Sequence, residues 1–455
     1  MDERKDFMFS RKDLQRLIIP LIVEQFLSIT IGMADTVMVS VCGEAAVSGV
    51  SLVDAINILM INIFSALATG GAIVSSQYIG REDLGKACEA AKRLVLAVFV
   101  LSTAIGAIFV FGGPQVLGLL YHDIEADVMA SAESYFFLTA LSYPFIALYN
   151  AGAALFRAMG NSKVSMTISI VMNCINIGGN ALFIFGFDMG AAGAALATLI
   201  SRIVGAVFIL VLLRRSTNII HIDSYLRLGL HPGMIKNILE IGIPNGLENG
   251  MFQLGKIIVQ GMIASYGTAA IAANAVCNSI AGFPIIPGSA IGLALITVVG
   301  QCVGAQRYEE AKQYIHKLTG LAYLFMFFFN ALIAIFCSQI VGFFSLSAEA
   351  TDTAVQIMLW HSLFCAVFWP AAFTMPNGLR AANDVRFTMT VSILSMWICR
   401  ICMSYILGTV LGMGALGTWF AMFLDWIVRI VFFAVRLHSN KWQHRELQQK
   451  MAAVD

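Results

Sequence analysis

Long stretches without a charged residue limit what this chain can fold into. Residues 94–122, 257–306 and 318–348 contain no Lys, Arg, Asp or Glu. Each stretch is longer than the roughly 20 residues that cross a bilayer as a helix. Hydrophobic residues make up 59% of the chain and charged residues only 12%, which is too little charge to cover the surface of a soluble protein. Because helices satisfy their own backbone in lipid, the sequence predicts an all-α polytopic membrane protein.

Turn residues and charges divide the chain into twelve predicted transmembrane helices. These spans cover about residues 15–41, 45–77, 88–112, 127–156, 164–186, 190–213, 238–265, 268–300, 314–338, 352–379, 387–408 and 414–436. Because twelve is an even number, we expect both ends of the chain on the same side of the membrane.

Lysine and arginine positions predict the orientation. Of the 28 lysines and arginines, only Arg202, Lys256, Arg400 and Arg429 lie more than six residues from both ends of a predicted span. All the others lie in the two tails, in the connections that follow even-numbered spans, or in the span ends next to these segments. Cytoplasmic loops carry the excess of positive charge, so both termini are predicted to be cytoplasmic. We expect a multi-pass protein of the cell (inner) membrane that works as a monomer in the lipid bilayer.

Other features exclude several classes of protein. The formal net charge of +1 gives no basis for nucleic-acid binding. The nine cysteines are odd in number and scattered through apolar segments, so they form no disulfide framework. Residues 80–87 nearly match a phosphate-binding loop, but Ala87 lacks the hydroxyl that would hold magnesium. We therefore expect no enzymatic activity, no catalytic residues, no structural metal and no cofactor.

An internal repeat divides the chain into two halves. Sequence motifs recur 224 positions apart, for example Pro20 with Glu24 and Pro244 with Glu248. Six spans per half is an even number, so the two copies enter the membrane in the same sense. The predicted organisation is an N-lobe with helices 1–6 (residues 1–215), a cytoplasmic linker (216–235) and a C-lobe with helices 7–12 (236–455). Two such bundles are the architecture of an alternating-access carrier.

Ionisable residues inside spans are candidates for function, because each costs roughly 2.5 to 3.5 kcal/mol to insert. Asp425 and Arg429 are four residues apart and are predicted to form an ion pair on one helix. Glu24 and Glu248 occupy equivalent places in both halves, which fits either a functional role or a shared structural one. In contrast, Asp35 lies opposite Val259 in the repeat, and Asp54 opposite Asn278. A charge present in only one half is not required by the common fold.

Oxygen-bearing side chains accompany Asp35 in the same half. Asn176 and Asn180 are one helical turn apart in span 5, and Thr198 follows in span 6. The second half has Met422 opposite Thr198, and Arg400 stands among the residues opposite the asparagines. A carboxylate, amide oxygens and a hydroxyl suit Na+ and, at the carboxylate, a proton. Alternatively, Asp35 pairs with Arg202, one turn beyond Thr198, and the asparagines only link helices.

Several motifs resemble those of the multidrug and toxic compound extrusion (MATE) family over essentially the whole chain. They are Ala34-Asp35-Thr36, Gln77-Tyr78-Ile79-Gly80, the segments at 156–161 and 176–186, Gly190-Ala191-Ala192-Gly193 and Leu379-Arg380-Ala381. The resemblance implies a secondary antiporter that exports organic cations or amphiphiles in exchange for Na+ or H+. It also implies an N-lobe cation site at Asp35, Asn176, Asn180 and Thr198. Some members have an aspartate where this chain has Asn180, which leaves the choice of ion open.

Substrate-binding residues are harder to identify. Some family members use a pair of acidic residues in the C-lobe. The first member of that pair matches Glu248, but the position of the second is Trp369 in this chain. Candidate residues of the substrate cavity are Asp54, Glu248, Met251, Gln253, Trp369 and Met375. Two alternatives to a drug antiporter remain: a flippase for lipids or lipid-linked saccharides of related architecture, and a passive channel or scaffold.

Overall fold

A computed structural model describes residues 7–121, 125–225, 232–344 and 346–443 of the chain. Within these ranges the protein is helical and contains no β-strand, so the predicted all-α class is confirmed. Nine helices of this described part are long and apolar enough to cross a membrane, or ten if one bent pair counts as a single span.

Seven helices make up the first half of the chain. They are α1 (Arg11–Ser40), α2 (Glu44–Gly80), α3 (Leu84–Leu120), α4 (Ala126–Leu141), α5 (Tyr143–Ala158), α6 (Ser162–Gly186) and α7 (Gly190–Leu213). Helices α4 and α5 meet at an angle of 45° and together replace the single span predicted at 127–156. The last turn of α6, Ala181–Gly186, widens into a π-helix.

Eight helices make up the second half. They are α8 (Pro232–Ala264), α9 (Thr268–Ala281), α10 (Ile286–Gly304), α11 (Tyr308–Ile335), α12 (Cys337–Gly342), α13 (Ala348–Ala381), α14 (Val385–Val410) and α15 (Gly414–His438). The span predicted at 268–300 is broken between α9 and α10, where Pro284 and Pro287 lack the amide hydrogens that a continuous helix needs. The spans predicted at 238–265 and 414–436 fall on α8 and α15, which are not among the nine or ten membrane-spanning candidates of the described part.

The backbone repeats with the same spacing as the sequence. Gly43 precedes α2 with φ 100°, and Gly267 precedes α9 with φ 101°. Glycine is the residue that adopts such angles without steric cost. The turns at Glu82 and Gln306 likewise share a left-handed conformation, with φ 63° and 60°. Both halves therefore use the same turn conformations at equivalent positions.

The chain divides into two compact units, Lys12–Gly246 and the described residues of Leu247–Asp455 with those of Met1–Arg11. The division lies inside α8, whose first turns pack against the first unit. The predicted linker is described only at 216–225 and 232–235, because residues 226–231 lie outside the described ranges. Its first part packs on the first unit: Ile220 and Ile222 are buried, and the Tyr225 hydroxyl donates to the Leu210 carbonyl at 2.7 Å. The predicted boundaries of the lobes stay a prediction.

Proline in α1 ties this helix to α6. Pro20 has no amide hydrogen, so the carbonyl of Arg16 loses its usual helical partner. The Ser162 hydroxyl lies 3.3 Å from that carbonyl and donates a shorter bond of 2.6 Å to the carbonyl of Leu17. The start of α6 is thereby held against the first half of α1, which places the far ends of both helices within reach of each other.

Candidate functional site

Four side chains predicted for the cation site meet in the first unit. The amide of Asn180 on α6 donates to Asp35 Oδ1 on α1 at 2.5 Å. One turn earlier on α6, the amide of Asn176 donates to Thr198 Oγ1 on α7 at 3.1 Å. Because the two asparagines share one face of α6, the two hydrogen bonds join α1, α6 and α7 in one polar strip.

The strip contains oxygen atoms that have no hydrogen-bond partner. Asn176 is 3% exposed and Asn180 is fully buried, and the Oδ1 atoms of both accept no hydrogen bond. A buried polar oxygen without a partner costs free energy. Together with the Asp35 carboxylate and the Thr198 hydroxyl, these atoms form a set of hard oxygen donors, which is the chemistry that Na+ requires.

Arg202 forms its hydrogen bond with Ser142 and not with the Asp35 carboxylate. Its guanidinium donates to the Ser142 hydroxyl at 2.7 Å, and within the described residues no ion pair joins it to Asp35. The alternative in which these two residues pair is therefore not what the structure shows. The positive charge of Arg202 still interacts at longer range with both Asp35 and Asp54.

Asp54 on α2 belongs to a neighbouring polar network. Its Oδ1 atom accepts hydrogen bonds from the Tyr135 hydroxyl at 3.1 Å and from the Asn57 amide at 3.3 Å. The Tyr143 hydroxyl in turn donates to Asn57 at 2.8 Å. Neither tyrosine nor Asn57 was expected from the sequence, since nothing distinguishes them from the other polar residues of apolar spans. Two carboxylates near one guanidinium give this region a net negative charge, which attracts a cation.

Close packing of α6 and α7 shapes the strip. Gly179 lies between the two asparagines in sequence, and a Cβ atom there would approach Ala197 Cβ to 2.8 Å. Small residues allow helices in membranes to approach closely. A π-helical turn follows directly after Asn180, and such turns are frequent at functional sites.

Gly179→Ala is expected to separate α6 from α7 and to weaken the bond between Asn176 and Thr198. Overpacking of this kind costs about 1 to 3 kcal/mol, so we expect a lower unfolding temperature and lost cation-dependent stabilisation. Thermal unfolding in detergent with and without Na+ measures both. Gly178→Ala is the matched control, because a Cβ atom at Gly178 meets nothing within 4 Å. Equal behaviour of the two variants would contradict the proposed role of this contact.

Buried acids repeated in both halves form ion pairs with repeat-equivalent arginines. Glu24 on α1 lies 3.6 Å from Arg157 on α5, and Glu248 on α8 lies 2.5 Å from Arg380 on α13. The two carboxylates therefore make equivalent ion pairs, which favours the structural interpretation of their repetition. The predicted pair of Asp425 and Arg429 is confirmed at 2.9 Å.

The candidate cavity residues are divided between the two units. Asp54 belongs to the first unit and the others to the second. Glu248 is held by Arg380, and Trp369 is buried and stacks on Phe373 with ring centroids 5.1 Å apart. Met375 is buried, whereas Met251 and Gln253 are half-buried. Their assignment to a substrate cavity stays a prediction.

A helical membrane protein built from two copies of one unit, with an oxygen-donor set in a single copy, belongs to the class of membrane transporters that arose by duplication. The sequence model of the MatE family matches residues 20–182 and matches again at 244–406. The chain is a member of the MatE family. The two matches lie 224 positions apart, one in each half, which confirms the predicted repeat.

Known proteins resemble the chain over nearly its whole length. It is 28% identical to the uncharacterized transporter YisQ of Bacillus subtilis over 93% of both chains. It is 26% identical to a probable multidrug resistance protein, NorM, of Thermotoga maritima, over 96% of this chain and 94% of the relative. A crystal structure of MATE in the bent conformation superposes with a TM-score of 0.87 over 97% of both chains, at 19% identity. That likeness establishes the fold.

Proposed function

We propose that the protein is a secondary antiporter that exports cationic or amphipathic organic compounds in exchange for Na+ or H+. The observation that carries the proposal is the strip of Asp35, Asn176, Asn180 and Thr198, with its two buried and unpartnered amide oxygens. Relatives such as NorM of Thermotoga maritima, a probable multidrug resistance protein, support export of drug-like compounds.

The strip provides a way to couple the cation to movement of α1. A Na+ ion among Asp35, Asn176 and Asn180 would engage the two oxygen atoms that lack partners and draw α1 toward α6. A proton on Asp35 would instead remove the only negative charge of the strip. If this arrangement of α1 weakens substrate binding, cation entry and substrate release are linked, because coupling between two ligands is reciprocal.

The energy available from one cation is sufficient for export. A membrane potential of 100 mV contributes about 2.3 kcal/mol per charge moved inward, and a tenfold ion gradient adds about 1.4 kcal/mol. Together they support roughly 500-fold accumulation of a neutral substrate at one ion per cycle. Export of a monovalent cation in exchange for one ion cancels the electrical contribution, so the substrate charge affects the attainable gradient.

The proposed setting is the inner membrane of the cell, with both termini in the cytoplasm and the protein acting as a monomer. The distribution of lysine and arginine supports this orientation. Alternating access would expose the polar strip to each side of the membrane in turn. Na+ or H+ acts here as a co-substrate, and no resident cofactor is required.

Transport by reconstituted protein tests the proposal. Vesicles containing the protein are loaded with ethidium, a lipophilic cation, and Na+ and proton gradients are imposed separately. We expect one of the two gradients to drive ethidium movement against its own gradient, and vesicles without protein to show none. Movement that only follows the ethidium gradient would indicate a passive channel and would overturn the antiporter proposal.

A further inference from the structure

The second unit contains a pocket at the places that correspond to the cation site of the first unit. Its volume is about 50 Å³. Four positions of the polar region in the first unit correspond, 224 positions later, to residues that line this pocket. The pairs are Asp35 with Val259, Asp54 with Asn278, Asn176 with Arg400 and Thr198 with Met422. Duplication has thus produced two versions of one site with different chemistry.

The charge of the second version is inverted. Neutral residues replace both carboxylates, and Arg400 stands where the first unit has an asparagine. Lys256, another residue that lines the pocket, stands where the first unit has Gly32. The first unit places two carboxylates near one guanidinium, whereas the pocket of the second unit is lined by two cations and no acid.

Neither cation has an ion-pair partner within the described residues, although the Arg400 guanidinium lies over the Phe252 ring, 5.5 Å from its centroid. Arg400 and Lys256 form no hydrogen bond or ion pair there, and the buried Nε atom of Arg400 lacks an acceptor. The positive charge of Arg400 repels the Lys256 ammonium group. Unpaired charges inside a membrane protein are costly and are retained mainly for function.

The nearby carboxylate of Asp425 attracts Arg400 but compensates only part of this positive charge. Its Oδ1 atom accepts hydrogen bonds from Arg429 at 2.9 Å and from Ser395 at 2.5 Å. The guanidinium of Arg429 also donates to the Ser392 carbonyl at 3.1 Å. The Oδ2 atom of Asp425 is buried and has no hydrogen-bond partner. One carboxylate therefore stands against three cations in this region, Lys256, Arg400 and Arg429, and a net positive charge remains.

We propose that this pocket binds the anionic group of an amphipathic organic substrate, a carboxylate or a phosphate. Guanidinium and ammonium groups are the side chains that recognise these anions, and Asn278 adds an amide donor. A volume of about 50 Å³ is several times what one water molecule needs, which suits a head group and not a whole drug molecule. The apolar wall of Val259, Trp419 and Met422 suits the adjoining apolar part.

This inference rests on the proposed function only for the step from binding to export. Combined with that function, it extends the substrate class from cations to zwitterions and organic anions. It also gives the two lobes separate roles: the first holds the coupling cation and the second holds the negatively charged part of the substrate.

Equilibrium binding to purified protein tests the pocket without any ion gradient. The probe is dansylglycine, an aromatic carboxylate, and its uncharged analogue dansylglycinamide is the matched ligand. We expect the acid to bind at least about tenfold more tightly than the amide. Arg400→Gln and Lys256→Gln should each weaken binding of the acid by about tenfold to a hundredfold, the range for hydrogen bonds to charged groups, and leave the amide unchanged.

Two further variants separate charge from general disruption. Arg400→Lys keeps the positive charge and should retain most of the affinity for the acid. Arg386→Gln removes an exposed arginine from the same helix, α14, and should leave affinity unchanged. Size-exclusion profiles and unfolding temperatures verify folding. If Arg400→Gln does not fold, two measurements still test the proposal: binding of dansylglycine to Lys256→Gln, and the comparison of dansylglycine with dansylglycinamide on the parent protein.

Equal affinity of the parent protein for the acid and the amide would overturn the proposal, as would equal losses in Arg386→Gln and Arg400→Gln. Displacement of dansylglycine by inorganic phosphate as readily as by octanoylglycine would reassign the pocket to small anions. Because binding is measured without transport, failure of the antiporter proposal and failure of this one give different results.

Discussion

Asp35→Asn is expected to abolish gradient-driven transport while the protein keeps its fold. The substitution removes the only negative charge of the strip but keeps a side chain of the same size that can still hydrogen-bond to Asn180. Loss of a charged ligand costs about 3 kcal/mol, roughly a hundredfold in cation affinity. Efflux of ethidium from reconstituted vesicles under the effective gradient, together with cation-dependent thermal stabilisation, measures the two effects.

An acid elsewhere in the same unit provides the control. Asp127 lies exposed in the first turn of α4, and Asp127→Asn should transport like the parent protein. Thr198→Val, which removes a hydroxyl but no charge, should weaken cation dependence by a smaller factor. If Asp35→Asn retained full coupling to the gradient, Asp35 would have to be removed from the site and the proposed exchange mechanism abandoned.

Glu248→Gln is expected to lower the free energy of unfolding by about 3 kcal/mol, because it leaves the Arg380 guanidinium without its carboxylate in a mostly buried position. Glu24→Gln should have a similar, smaller effect through Arg157, where the distance is 3.6 Å. Thermal unfolding in detergent measures both. Glu240→Gln is the matched control, since Glu240 is exposed on the same helix α8.

A double substitution tests whether the cost comes from the unpaired arginine. Glu248→Gln combined with Arg380→Gln should cost less than the sum of the single substitutions, because residues in direct contact are coupled. A different result for Glu248→Gln alone would contradict the structural role. If this variant unfolded at the same temperature as the parent protein but bound ethidium more weakly, Glu248 would be a substrate residue.

Much of the membrane arrangement could be predicted because lipid imposes simple rules. Every backbone polar group in the bilayer needs an internal partner, so the uncharged runs are sufficient to predict helices. The breaks at Ser142 and between α9 and α10 were not predicted. A local hydrophobicity pattern cannot distinguish one bent span from a straight one, because both are equally apolar.

The four residues of the polar strip could also be predicted from the sequence, but their neighbours could not. Comparing the two halves identified Asp35 as a charge that the common fold does not need, and the spacing of Asn176 and Asn180 placed them on one face. The connection of Asp54 to Tyr135 could not be predicted, because it joins residues of α2 and α4 that are 81 positions apart.

The sequence by itself determined the helices, the duplication and the presence of Asp35 and Asp54 in the first half only. These features depend on hydrophobicity and on matching positions within one sequence. Only the tertiary structure decided which charged residues of different helices are paired. In the structure Asp35 accepts a hydrogen bond from Asn180 and forms no ion pair with Arg202 among the described residues. Glu248 forms an ion pair with Arg380, and Lys256 and Arg400 line one pocket that contains no acidic residue. Pairing of charges requires atoms within a few ångströms of each other, and those distances arise only when separate helices pack together.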